Sequence, residues 1–260
     1  MQNMNPMTEA QYAKHWALES DKHQRFNDYS WMSKLLNENS FILEIGCGNG
    51  TSSKHLLQRN CKLIIIEANS TLASIAYEKL KSWGYSGKIA SDESDLNTEL
   101  NFNILIDSVF SEVTEKLVKS HHFDYIINWL FGASPYTIAN ENGIDISELD
   151  MQAIPAYRER SALRAFELKN HCINPNCKFH YVLRASYDKS AVDSTADLKS
   201  SFVAEQSEHF GLKDSDFISI EIRKSESSSR QTTSSMKYIH TLPGAELPKN
   251  IKAVFVSVII

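Results

Sequence analysis

The run Phe41-Ile42-Leu43-Glu44-Ile45 enters Gly46-Cys47-Gly48-Asn49-Gly50, and a second apolar run, Leu63-Ile64-Ile65-Ile66, ends on Glu67. This order most constrains the fold. A buried strand that delivers a glycine turn next to a helix, followed by a strand ending in a carboxylate, is how a parallel α/β sheet presents a nucleoside ligand. Glycines there reach backbone angles closed to other residues and let a ligand approach with no Cβ in the way. A carboxylate at the end of the second strand can accept hydrogen bonds from both hydroxyls of a ribose.

The glycine spacing separates cofactor classes. A dinucleotide fingerprint would place its third glycine at Thr51, whereas here it is Gly50. The order Glu44-x-Gly46-x-Gly48-x-Gly50, with Glu67 beyond it, resembles motif I of the Rossmann-like (class I) S-adenosylmethionine-dependent methyltransferases. That resemblance implies a three-layer α/β sandwich with a mostly parallel seven-stranded sheet and an antiparallel last strand. It also implies S-adenosylmethionine as cofactor, with contacts from Glu44, Gly46, Cys47, Gly48, Glu67 and Ala68. An acid after the third strand, near the adenine amino group, is Asp107 followed by Ser108, with Asp92 in reserve.

One domain from 41 to 260 is expected behind a helical, aromatic-studded cover at 1–40, with an acceptor-site insertion at 132–154. Thr51–Arg59 reads as a helix capped by Thr51, Ser52 or Ser53, and Ser70–Trp83 as another capped by Ser70. Two runs compete for the third strand, Lys88–Asp92 and Phe102–Asp107. Phe123–Asn128 is a clear fourth strand, with Asp124 structural at its start, and Phe179–Ala185 a fifth. Phe217–Arg223 and Ile251–Ile260 complete the sheet as an antiparallel pair. Between them, Ser225–Ser235 reads as mobile surface and Met236–Pro248 as a segment packed over the site.

The formal charge is 27 minus 32, or -5, with the basic residues scattered. Phosphate neutralisation drives nucleic-acid binding, so a small-molecule acceptor is expected and no nucleic acid. No apolar run is long enough to span a membrane and the first residues lack a signal peptide's pattern, which places the protein in the cytoplasm. Oligomeric state is left open by the sequence.

Transfer from a sulfonium needs a nucleophile held in line and a place for its proton. Asn128 and Trp129, at the fourth strand's end, are expected to border the transferred methyl group, with Asn128 also touching the cofactor. Two patterns of the family are missing here, the polar-Pro-Pro-aromatic tetrad and the proline-cysteine pair, which turns the expectation away from protein-glutamine, adenine and cytosine-carbon acceptors and toward an oxygen, nitrogen or carbon nucleophile of a small molecule. Trp129, Phe131 and Tyr136 suit an apolar or aromatic acceptor. His15 leads the candidate general bases, ahead of Tyr12, His23, His171 and His180. Arg158 and Arg160 are candidates for a substrate carboxylate. His171-Cys172 with Cys177 and His180 forms a loose zinc-like set whose middle reads more simply as a turn. The alternative to an enzyme is a non-catalytic protein that uses the same pocket for sensing or partner assembly.

Overall fold

The computed structural model describes residues 7–150, 152–188, 194–224 and 251–260. The segments 225–235 and 236–248, read from sequence as mobile surface and as a cover, lie outside the described residues. Two compact units divide between Phe179 and His180.

The first unit opens with two helices, α1 (Glu9–Arg25) and α2 (Asp28–Lys34). Then β1 (Phe41–Ile45), α3 (Thr51–Leu57), β2 (Lys62–Ile66) and α4 (Ser70–Ser82) follow. Next come β3 (Gly87–Ala90), β4 (Phe102–Leu105), α5 (Glu112–Ser120), β5 (Tyr125–Trp129), α6 (Pro135–Asn142) and α7 (Ala153–Asn170). Their five strands run parallel in the order β3-β4-β2-β1-β5. β1, β2, β4 and β5 read as nearly unbroken apolar runs because helices cover both of their faces. The chain winds outward from β1 through β2, then reverses across β1 to β5. With right-handed crossovers, that reversal puts α3 and α4 on one face and α5 with α7 on the other. α1 and α2 pack onto the α3 side, and α7 packs onto β5 and α5.

Both candidates for the third strand are strands. β4 pairs with β2, and β3 pairs outside β4, so eight strands occur among the described residues rather than seven. The extra edge strand is possible because Gly87 lies directly against the Phe102 ring, where any Cβ would collide.

The helix caps differ from expectation. Gly50, at φ 79°, is the N-cap of α3, and the Asn69 side chain, not Ser70, accepts the Leu72 N–H to cap α4. Asp124 accepts the Phe41 N–H at 2.8 Å, fastening the start of β1 to that of β5.

The second unit holds β6 (Lys178–Asp188) from His180 onward, α8 (Thr195–Phe210), β7 (Ser219–Lys224) and β8 (Ile251–Ile259). β8 pairs antiparallel with both β6 and β7. His180 on β6 is fully buried and bonds Ser257 Oγ on β8 at 2.7 Å, and burial lowers its pKa to about 3. No described helix is long and apolar enough to cross a membrane.

Candidate functional site

At the C-terminal ends of the parallel strands, where the winding reverses, lies a narrow cleft open to solvent, about 370 Å³ counting the open space at its mouth. Its floor is Ile45, Gly46 and Ile66, one wall is Glu67, Ala68, Asn69, Asp107 and Val109, and the other is the loop Phe131–Ser134 with Thr137 and Tyr157. Tyr12 of α1 closes it from above.

Glu67 is 7% exposed, and burial raises its pKa to about 7 against the pull of two backbone hydrogen bonds. One oxygen accepts the Gly48 N–H at 2.9 Å and the other the Asn69 N–H at 3.0 Å. A carboxylate offers about four acceptor positions, so about two remain for a ligand. Asn69 contributes a donor beside it. Its Oδ1 is used by the α4 cap, while its Nδ2 is buried in the cleft wall with no partner. Asp107 borders the cleft and accepts the Ser111 hydroxyl at 2.8 Å. Asp92, the reserve candidate, is exposed and caps a short 3-10 turn.

Glu44 does not line the cleft. Both its oxygens accept hydroxyls at 2.6 Å, from Ser52 and Ser53 in the first turn of α3. It is 2% exposed, and burial lifts its pKa to about 7 against those two bonds. The acid thus anchors the helix start that follows the glycine turn. Cys47 is a buried core residue whose thiol is pushed up by burial and then by the charges of Glu67 and Glu44. Ser108 turns into the start of α5, with its carbonyl oxygen accepting the Thr114 hydroxyl.

Aromatic rings occupy the open faces of the glycines. A Cβ on Gly46 would meet the Phe131 ring at 2.9 Å, and one on Gly48, at φ 55°, would collide with the Trp16 indole. The stripe Tyr12, Trp16, Ser20 repeats every four residues along α1 and lies against the site at each step. Tyr12 Oη approaches Gly132, Trp16 covers Gly48, and the Ser20 hydroxyl donates to Asn49 Oδ1 at 2.8 Å.

Of the three residues expected to act on the acceptor, none is among those that line the cleft. His15 is half-buried on α1 and does not border the cleft, whereas Tyr12, one turn earlier, does. Glu44 is in register with Ile127 and faces α3, so Asn128, the next residue on β5, faces the α7 side. There it is fully buried, with neither Oδ1 nor Nδ2 hydrogen-bonded. Trp129 is buried at the strand end. The chain reaches the cleft only after Leu130, whose φ of 50° turns the following loop toward it, so Phe131–Ser134 line it instead. Tyr157 stacks on Phe131 with centroids 6.0 Å apart, and its hydroxyl is held protonated by burial and by Glu141. The two arginines separate: Arg160 stacks over Phe110 at 4.6 Å, while an Arg158 Nη2 lies 3.9 Å from the Cβ position of Gly132. No cluster of three or more metal-ligating side chains occurs among the described residues.

Asn69 and the turn at Leu130 that carries the following loop to the cleft escaped the sequence reading, whereas Phe131 was named there for the acceptor side. The α1 stripe was legible in the four-residue spacing of Tyr12, Trp16 and Ser20. What it would cover was not.

This is a Rossmann-like α/β fold with its cleft at the reversal point of the sheet. No family model and no curated protein matches the sequence. Among solved structures, the N-methyltransferase NodS from Bradyrhizobium japonicum WM9 is 11% identical over 91% of this chain and 94% of its own, with a TM-score of 0.43. An rRNA methylase from Streptococcus thermophilus is 12% identical over 89% and 93%, with a TM-score of 0.41. The cyclase SpnF is 10% identical over 75% and 58%, with a TM-score of 0.43. Likeness at this level decides neither activity nor substrate, which have to be argued from the residues of the site.

Proposed function

We propose that this chain binds S-adenosylmethionine along the C-terminal edge of the parallel sheet and moves its methyl group to an oxygen, nitrogen or carbon nucleophile of a small molecule. The observation that carries the reading is Glu67, a buried carboxylate at the end of β2 with acceptor positions left beyond its two backbone bonds. A cis-diol supplies the two matching donors.

The neighbouring groups fit the nucleoside half of that cofactor. Asp107 offers an acceptor for an exocyclic amine, Asn69 Nδ2 a donor for a ring or sugar acceptor, and Ile66, Ala68 and Val109 apolar contact for a base. The charged side chains bordering the cleft, Glu67 and Asp107, are both acids, which suits a cationic cofactor and repels a phosphodiester. Together with the net charge of -5, this supports a small-molecule acceptor over a nucleic acid.

When bound, the cofactor supplies a methyl group already activated by a sulfonium centre. The work left to the chain is placement and exclusion of water. Tyr12, Phe131 and Tyr157 enclose the side of the cleft opposite the acids, where an acceptor would lie. Of these, the Tyr12 hydroxyl, not His15, is in position to orient the acceptor's nucleophilic atom.

Calorimetry with S-adenosylhomocysteine tests the reading. Binding that is lost in Glu67→Ala, with no binding of a nicotinamide dinucleotide, is expected; the reverse selectivity overturns it. A non-catalytic binding role is favoured by one observation, that none of His15, Asn128 and Trp129 is among the residues lining the cleft. Incubation with labelled cofactor and a metabolite extract separates the two, because only an enzyme yields labelled product.

A further inference from the structure

The cleft is cut short at one end. Glu67 stands in its wall and accepts the Gly48 N–H, yet Gly48 is not among the lining residues, whereas Gly46 is. The cause is Trp16 of α1. Its Nε1 comes nearest to where a Cβ of Gly48 would stand, with Cδ1 at 2.6 Å and Cε2 at 3.0 Å, so the edge of the indole fills the open side of that glycine.

This plug lies where the rest of a nucleoside ligand has to run. With the diol on Glu67 and the base against Ala68, Val109 and Asp107, the sugar's 5′ carbon leaves on the other side of the ring, toward the glycine turn. A short 5′ group ends near Gly46. An amino-acid tail has to continue past Gly48, into the space that the indole holds.

The helix carrying Trp16 is fastened lightly. Of its six buried residues only Tyr12 and Ala13 are apolar, and Glu19, Ser20, Lys22 and His23 are polar or charged. Apolar burial is what docks a helix firmly, whereas polar groups regain partners in water when the face reopens. A latch joins α1 to the glycine turn, the Ser20 hydroxyl donating to Asn49 Oδ1 at 2.8 Å, with Tyr29 Oη donating to Ser20 Oγ at 3.3 Å behind it. Past its last turn stands Asn27, left-handed at φ 57°, which opens α2 with no side-chain cap. That is a pivot. α2 holds its place through buried Tyr29 and Met32, and the His23–Asp28 and Gln24–His55 bonds lie beside the pivot. Trp16 is about 16 Å of helix away from it, so a small rotation there clears Gly48.

We infer that α1 is a movable gate with Trp16 as its plug: closed, the site takes a nucleoside with a short 5′ group, and only open does it take one with an amino-acid tail. The ligand named here rests on the cofactor reading above. A ligand that needs a less populated form associates more slowly by that fraction.

The test has two arms on the full chain. In the first, association of S-adenosylhomocysteine and of 5′-methylthioadenosine is timed by surface plasmon resonance on the wild type, Trp16→Ala and Ser20→Ala. Both variants should speed the first ligand by about tenfold and leave the second unchanged; equal rates for S-adenosylhomocysteine in all three proteins, or an equal gain for both ligands, overturn the inference. The second arm needs no ligand. In Ser20→Cys the thiol introduced under the latch should be alkylated at least about tenfold faster than the buried Cys61, because it is exposed whenever the gate swings. Labelling as slow as that of Cys61 overturns the gate. Fast labelling with no S-adenosylhomocysteine binding in any variant keeps the gate and removes the cofactor reading.

Discussion

Glu67, at the end of β2, accepts the Gly48 N–H at 2.9 Å and so ties the second strand's acid to the first strand's glycine turn. The same carboxylate holds the Asn69 N–H at the start of α4, so one side chain organises both loops that frame the cleft.

Replacing Glu67 by Gln should therefore cost more than replacing Glu44. In Glu67→Gln an amide nitrogen faces a backbone N–H, donor against donor, and one buried bond is lost, at about 1–3 kcal/mol in stability. In Glu44→Gln the Ser52 and Ser53 hydroxyls can rotate, one to donate and one to accept, so the anchor survives. Denaturant midpoints of the two variants, with ligand calorimetry on each, check the contrast.

Both acids make the first unit more stable in mild acid. Their folded-state pKa values, raised to about 7, lie above the unfolded carboxylate value, so the folded protein holds protons that the unfolded chain has released. Their contribution is complete below pH ~4.5 and is lost as pH rises through 7, by up to about 3 kcal/mol per group. His180 acts with the opposite sign: lowered to about 3, its contribution is present above its ordinary range and is lost as pH falls below ~6.5. Urea midpoints at pH 5 and pH 8 should show Glu44→Gln gaining on the wild type only at the higher pH.

Gly48→Ala should destabilise by about 2 kcal/mol, from a left-handed backbone angle and a collision with Trp16. Trp16→Ala removes the collision and leaves only the backbone term. The double variant should thus be less destabilised than the sum of the single ones, and a double-mutant cycle from chemical denaturation reads this directly. Additivity would mean that α1 does not press on the glycine turn.

Asn128→Val should stabilise the fold by about 1 kcal/mol, because it removes two buried polar atoms that have no partners and suits a strand. Because the amide does not line the cleft, the same variant should keep ligand binding and methyl transfer while gaining stability. Thermal unfolding and a labelled-methyl assay on one preparation measure both.

The local order of elements was legible because short-range rules set it. Unbroken apolar runs make β1, β2 and β5 central strands, and Gly46, Gly48 and Gly50 all take positive φ in a turn that their type permits. The acid ending β2 and the acid beyond β4 lie at the cleft for the same reason, since strand ends in a parallel sheet converge on one edge. Strand pairing, face and cover were decided only in three dimensions. Nothing local says that β3 adds itself outside β4, because pairing depends on which edge is left open. Asn128 faces α7 because of the β1–β5 register, and a one-residue change in register would have turned it to the other side. Glu44 anchors the start of α3 because two serine hydroxyls there reach its two oxygens, and Trp16 covers Gly48 because α1 returns across more than twenty residues of chain to lie there. Sequence spacing determines which groups can meet within one element, whereas their partners across elements follow from how the helices close over the sheet.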